Sequence, residues 1–112
     1  MTLEVAQETR NEKWIVLKLT GRLDAGSADN FKQTIKELIK QNNHFFVLDF
    51  SQLKMLSSTG LNALLALFRE LEKQGGQLRI ACIQAYVKEI FDLTGYSKLF
   101  KLFETVELAT AE

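Results

Sequence analysis

Apolar and polar residues alternate at two places early in the chain, first at Leu3 and Val5 and then more regularly at Ile15, Leu17 and Leu19. A period of two is that of a half-buried strand, and Arg10-Asn11-Glu12-Lys13 between the two runs predicts a hairpin turn. The period then changes. After Gly21-Arg22-Leu23-Asp24-Ala25-Gly26, apolar residues recur at Ala28, Phe31, Ile35, Leu38 and Ile39, the stripe of an amphipathic helix with Ser27 in the capping position and Gln41-Asn42-Asn43 at its end. The run Phe45-Phe46-Val47-Leu48-Asp49-Phe50 is short and nearly all apolar, as in a central parallel strand covered on both faces. A second helical stripe follows at Leu61, Leu64, Leu65, Phe68 and Leu71, stopped by Gly75-Gly76. Leu78 to Ile83 predicts another buried strand. Val87, Ile90, Phe91 and Thr94 predict a helical face closed by Gly95, Phe100 to Phe103 a short edge strand, and Thr105 the cap of a last helix through Ala109.

Strand and helix alternate from Phe45 onward, which predicts right-handed βαβ crossovers. The expected architecture is α/β: a mixed sheet of four or five strands, antiparallel at its N-terminal hairpin, with the Phe45 and Leu78 strands central and parallel and helices packed on it. Phe31, Leu64, Phe68 and Phe91 are the helix residues expected to bury against the sheet. With 112 residues, no proline and no linker-like segment, residues 1–112 are expected to form one domain.

Composition narrows the function. Hydrophobic residues make up 46% and charged residues 25%, the balance of a chain that packs a core. Basic and acidic residues number 14 each, so there is no positive excess to neutralise nucleic-acid phosphates. The one cysteine, Cys82, excludes a disulfide framework or thiolate metal site within one chain and suits a reducing cytoplasm. Met1 to Arg10 lacks the basic start and apolar block of a signal peptide, and no apolar run approaches the roughly 20 residues that span a bilayer. A cytoplasmic protein without direct membrane contact is expected.

Chemistry is sparse. His44 is the only histidine, so a Ser/His/Asp triad would depend on a residue at the start of a strand. No metal-ligand spacing and no glycine-rich phosphate loop is present, and neither a metal nor a cofactor is expected. Asp49, inside an apolar strand, is expected to accept hydrogen bonds from loop N–H groups. The informative stretch is Leu56-Ser57-Ser58-Thr59-Gly60-Leu61, three successive hydroxyls between a buried strand and an amphipathic helix. One hydroxyl suffices to cap the helix. The same helix end, with free N–H groups and a positive dipole, also accommodates an attached phosphoryl group.

Leu19-Thr20-Gly21-Arg22-Leu23-Asp24, Val47-Leu48-Asp49-Phe50-Ser51 and Ser57-Ser58-Thr59-Gly60-Leu61 together resemble the STAS domain family, specifically its bacterial anti-sigma-factor antagonists. Gly75-Gly76, Val87 to Phe91, Leu93-Thr94-Gly95 and Leu99-Phe100 continue the likeness in order, over almost the whole chain. The resemblance implies a STAS fold and a non-catalytic phosphoprotein. Unphosphorylated, it would bind an anti-sigma factor that is also a serine kinase, and a serine phosphatase is a further implied partner. Phosphorylation would release that anti-sigma factor and so regulate sigma-factor-dependent transcription. It places the phosphoacceptor at Ser58, with Ser57 and Thr59 as alternative hydroxyls, and partner contacts at Asp24, Ser57, Ser58, Thr59 and Gly60. Asp24 is expected in an exposed loop near the Ser58 helix. Ser57 stands where many relatives carry Asp. The competing reading is a non-catalytic STAS adaptor in a phospholipid-transport or stressosome-like complex. A third, a hydrolase using Ser57 or Ser58, would need His44 as its base.

Overall fold

The alternating residues Ile15, Leu17 and Leu19 lie on strand β2 (Trp14–Leu23), and their register neighbours Phe46 and Leu48 on strand β3 (Phe45–Leu56) lie parallel beside them. This is a computed structural model describing residues 3–111, so Met1, Thr2 and Glu112 of the expected 1–112 domain lie outside the described residues. Strand β1 (Leu3–Arg10) pairs antiparallel with β2 across the Arg10–Lys13 turn. Strands β4 (Gln77–Ala81) and β5 (Lys101–Phe103) continue the sheet in parallel, giving the order β1-β2-β3-β4-β5. The mixed five-stranded sheet and its packed helices are those the periodicity predicts.

Helices α1 (Ala28–Lys40), α2 (Ser58–Lys73) and α3 (Ala85–Thr94) bury Phe31, Ile35, Leu64, Leu67, Leu71, Val87 and Phe91 in one cluster with Ile15, Leu17, Leu19, Phe46, Leu48, Phe50, Leu78 and Ile80. Strand residues of opposite parity form a smaller cluster on the other face. There Trp14, Val16, Val47 and Ala81 meet Val106 and Ala109 of the short helix α4 (Val106–Ala109). The buried Arg79 lies against the Trp14 ring at 4.3 Å and donates to the Ala109 carbonyl at 2.8 Å, so a cation closes the C-terminus of α4. No helix among the described residues is long and apolar enough to cross a membrane.

The boundaries differ from expectation where the backbone departs from ideal pairing. Strand β3 runs six residues beyond Phe50 because two bulges carry it past the alternating pattern. Its register to β2 shifts between Lys18 and Thr20 and again between Gly21 and Arg22. Strand β4 stops at Ala81, and Cys82 turns the chain with φ 59°. On α2 Leu67 is buried together with Leu61, Leu64 and Leu71, while Leu65 and Phe68 are only half-buried. Thr94 is exposed and returns its hydroxyl to the Ile90 carbonyl. A 3-10 turn at Tyr96–Lys98 precedes Phe100, so β5 begins at Lys101. Thr105 caps α4 as expected, accepting from the Leu108 N–H at 3.0 Å.

Candidate functional site

Strands β2 and β3 run parallel and end side by side, with Leu23 opposite Leu56, so Asp24 and Ser57 emerge from neighbouring strand ends. The Ser57 N–H continues the ladder to the Leu23 carbonyl at 3.0 Å. Ser57 then caps α2: its Oγ accepts from the Gly60 N–H at 3.1 Å, and its carbonyl accepts from the Leu61 N–H at 2.8 Å. That hydroxyl is half-buried and engaged. Ser58 and Thr59, the first two helical residues, are exposed, and among the described residues neither makes a side-chain hydrogen bond. The first turn of α2 carries no acidic residue. No carboxylate within that turn offsets the positive end of its dipole.

Gly60 is buried rather than presented. A β-carbon there would lie 2.4 Å from the Leu23 carbonyl oxygen, a distance no side chain tolerates. The start of α2 thus lies backbone to backbone against the end of β2, and Gly60, expected at a partner contact, is not on the surface.

Asp24 is less exposed than expected, with about 23% of its side chain accessible. Its carboxylate accepts from the Gly26 N–H at 3.0 Å and from the Arg22 Nε–H at 3.2 Å, closing the turn into α1. The Arg22 guanidinium, helped by the Gly26 N–H, holds the Asp24 carboxyl below the usual carboxylate range. Ser27 occupies the N-cap position of α1 but its hydroxyl does not cap that helix. Instead it donates to the Arg22 carbonyl at 2.7 Å and accepts from the Asp24 N–H at 3.1 Å. The local loop competes for the hydroxyl and wins.

Asp49 is half-buried on the α4 face and accepts from the Ser51 N–H at 2.9 Å, a bond within its own strand and not to the loop N–H groups expected of it. It lies beside Cys82, whose thiol is pushed up by burial and further by the Asp49 carboxylate. A cavity of about 270 Å³ opens next to it between Ala6, Glu8, Arg10, Val16, Lys18 and Val106. His44 precedes β3, whereas the three hydroxyls follow it. A twelve-residue strand separates them, at about 3.3 Å per residue. The histidine required by a hydrolase reading is at the wrong end of the sheet.

Sequence reasoning missed Gln84. It precedes α3 without capping it, and its Nε2 lies 3.0 Å from the Phe50 carbonyl, 3.2 Å from that of Ser51 and 2.8 Å from that of Leu53. No local pattern signals a carboxamide that bonds more than thirty residues back. The Tyr86 hydroxyl adds a longer contact to the Leu53 carbonyl, at 3.4 Å.

A model of the STAS domain matches residues 4–109. The anti-sigma-B factor antagonist of Bacillus subtilis is 25% identical over 93 residues, covering 83% of this chain and 84% of that protein. The crystal structure of an anti-sigma factor antagonist from Mycobacterium paratuberculosis superposes with a TM-score of 0.86 at 24% identity, over 98% of this chain and 92% of that one. The Bacillus cell fate determinant SpoIIAA in its phosphorylated form superposes at 0.76 with 22% identity, over 95% and 96%.

Proposed function

The chain belongs to the STAS domain family, and from that premise we propose that it is an anti-sigma-factor antagonist switched by phosphorylation of Ser58. The reading takes residues 1–112 as one cytoplasmic, non-catalytic domain. Its partner is an anti-sigma factor with serine kinase activity, and a serine phosphatase resets it. The observation that carries the choice of hydroxyl is the division of labour at α2: Ser57 spends its oxygen on the cap, while Ser58 is exposed with a free hydroxyl. Thr59 is also exposed, but it lies one residue further into the helix. Support from relatives is consistent with this, since the Bacillus subtilis relative is named an anti-sigma-B factor antagonist and SpoIIAA has been solved phosphorylated.

In the unphosphorylated state the exposed Ser58 and Thr59, with the neighbouring Asp24, form the contact face. Transfer of the γ-phosphoryl group of ATP to Ser58 Oγ adds roughly −1.5 to −2 charge at neutral pH. The start of α2 tolerates that charge, because its dipole is positive and its first turn holds no acid. A partner packed closely over the same surface does not tolerate it. Losing about 3 kcal/mol there weakens affinity by about two orders of magnitude, enough to release the anti-sigma factor.

The test is incubation with the host's serine-kinase anti-sigma factors and ATP, with mass spectrometry to locate phosphate. Ser58→Ala should stay folded, resist modification and bind constitutively, whereas Ser58→Asp should stay folded and bind poorly. Phosphate found only on Ser57 or Thr59, with Ser58→Asp binding like wild type, would sink the assignment.

A further inference from the structure

Strand β4 pairs with β3 only as far as Asp49 opposite Ala81, so from Phe50 onward β3 has no strand on that side. On its other side the ladder to β2 is broken by two bulges within the same stretch. A strand end of this kind leaves carbonyl groups to be satisfied by something else. The Gln84 carboxamide does this for three of them, Phe50, Ser51 and Leu53, sharing its two N–H bonds among the three oxygens. The held segment leads through Leu56 directly into Ser57, whose backbone and side chain set the geometry of α2's first turn.

We propose that Gln84 is a positioning residue for the Ser57–Thr59 segment: by gripping the bulged end of β3 from the start of α3, it fixes where the Ser58 hydroxyl is presented to a kinase. The part concerning modification rests on Ser58 being the phosphoacceptor; the positioning itself does not. Gln84 sits at the N-cap position of α3 yet its side chain is turned away from that helix. Its amide N–H donors are thus committed to β3. Anchorage of α3 does not depend on it alone, because Val87 and Phe91 are fully buried and the Phe91 ring meets that of Phe50 edge to face at 6.5 Å. Loss of the carboxamide should therefore loosen the end of β3 while leaving α3 docked.

Three variants separate positioning from general stabilisation. Gln84→Met keeps the length of the side chain but has no donor, Gln84→Glu sets a carboxylate against the same carbonyls, and Gln84→Lys restores donors of similar reach. Amide hydrogen exchange should quicken about tenfold or more at Ser57, Gly60 and Leu61 in Gln84→Met and further in Gln84→Glu, with the β3–β4 ladder amides unchanged and Gln84→Lys near wild type. With the serine kinase that modifies the wild-type chain, kcat for Ser58 should fall about tenfold in Gln84→Met with KM changing less, and recover in Gln84→Lys. Unchanged exchange at those three amides would overturn the proposal. So would a uniform acceleration over the whole chain, which marks general destabilisation. If exchange behaves as expected but no kinase modifies Ser58 of the wild type, the positioning stands and the phosphoacceptor reading fails.

Discussion

Helices α1 and α2 start in the same way, one residue after a serine that follows a parallel strand, yet the two serines do opposite things. Ser27 is buried and turns its hydroxyl back to the Arg22 carbonyl, while Asp24 and, in the first helical turn, Asp29 supply negative charge. Ser57 caps its helix, no acid stands in the first turn after it, and the next two hydroxyls are exposed. One helix start is closed and already compensated. The other keeps its positive end available, and on a sheet where both lie at adjacent strand ends, only the second suits a charge that comes and goes.

The largest effect should come from breaking the contact that joins the two. Gly60→Ala puts a β-carbon 2.4 Å from the Leu23 oxygen, so α2 must back away from β2. A loss of about 3 kcal/mol, at the upper end of ordinary overpacking, is expected in urea denaturation. A wild-type midpoint would refute the backbone contact. Next, one substitution should have opposite signs at the two serines. Ser27→Asp buries a carboxylate against that of Asp24 and the Arg22 carbonyl and should cost about 2 kcal/mol. Ser57→Asp keeps a capping oxygen and adds the charge that α2 lacks, and should gain about 0.5 kcal/mol. Equal signs in paired denaturation curves would erase the distinction.

The smallest effect is on pH dependence. Asp24 holds its proton less tightly in the folded chain, as do Asp92, bonded by the Ser97 hydroxyl and Lys88, and Glu107, bonded by its own N–H and Arg10. The unfolded chain, with carboxyl groups titrating near pH 4, takes up these protons first as the medium is acidified. The stabilisation is therefore complete above about pH 5 and is lost as pH falls through the ordinary value and then the lower folded ones. Asp24→Asn should flatten part of that acid limb. Ser57→Asn should leave its slope as it is.

Most of the architecture was legible because most of it follows simple periods. Ile15, Leu17 and Leu19 alternate, Phe31, Ile35 and Leu38 recur at helical spacing, and each does so on the element it predicts. Legibility failed where a residue's partner is remote or its surroundings are uniformly apolar. The second half of β3 reads as a loop because two bulges put Ser51-Gln52 and Lys54-Met55 out of step with the alternation. On α2, Leu61, Ala63, Leu64, Leu65, Leu67 and Phe68 leave no clean stripe, and only packing against the sheet selects Leu67 over Leu65. The triple hydroxyl and Asp24 stand out in the sequence. Which hydroxyl is free depends on capping geometry, and Asp24 looked exposed because its bonds to Arg22 and Gly26 are made only once the turn forms.

The missing side chain at Gly60 also has a mechanical consequence. Soft side chains between two elements absorb small displacements, whereas the start of α2 bears directly on a peptide group of β2. The Ser57 N–H bond to the Leu23 carbonyl grips the same peptide group from the side, and Asp24 is the next residue along. The start of α2 and the residue before Asp24 are thus joined through one peptide group, with no flexible side chain between them to take up a displacement.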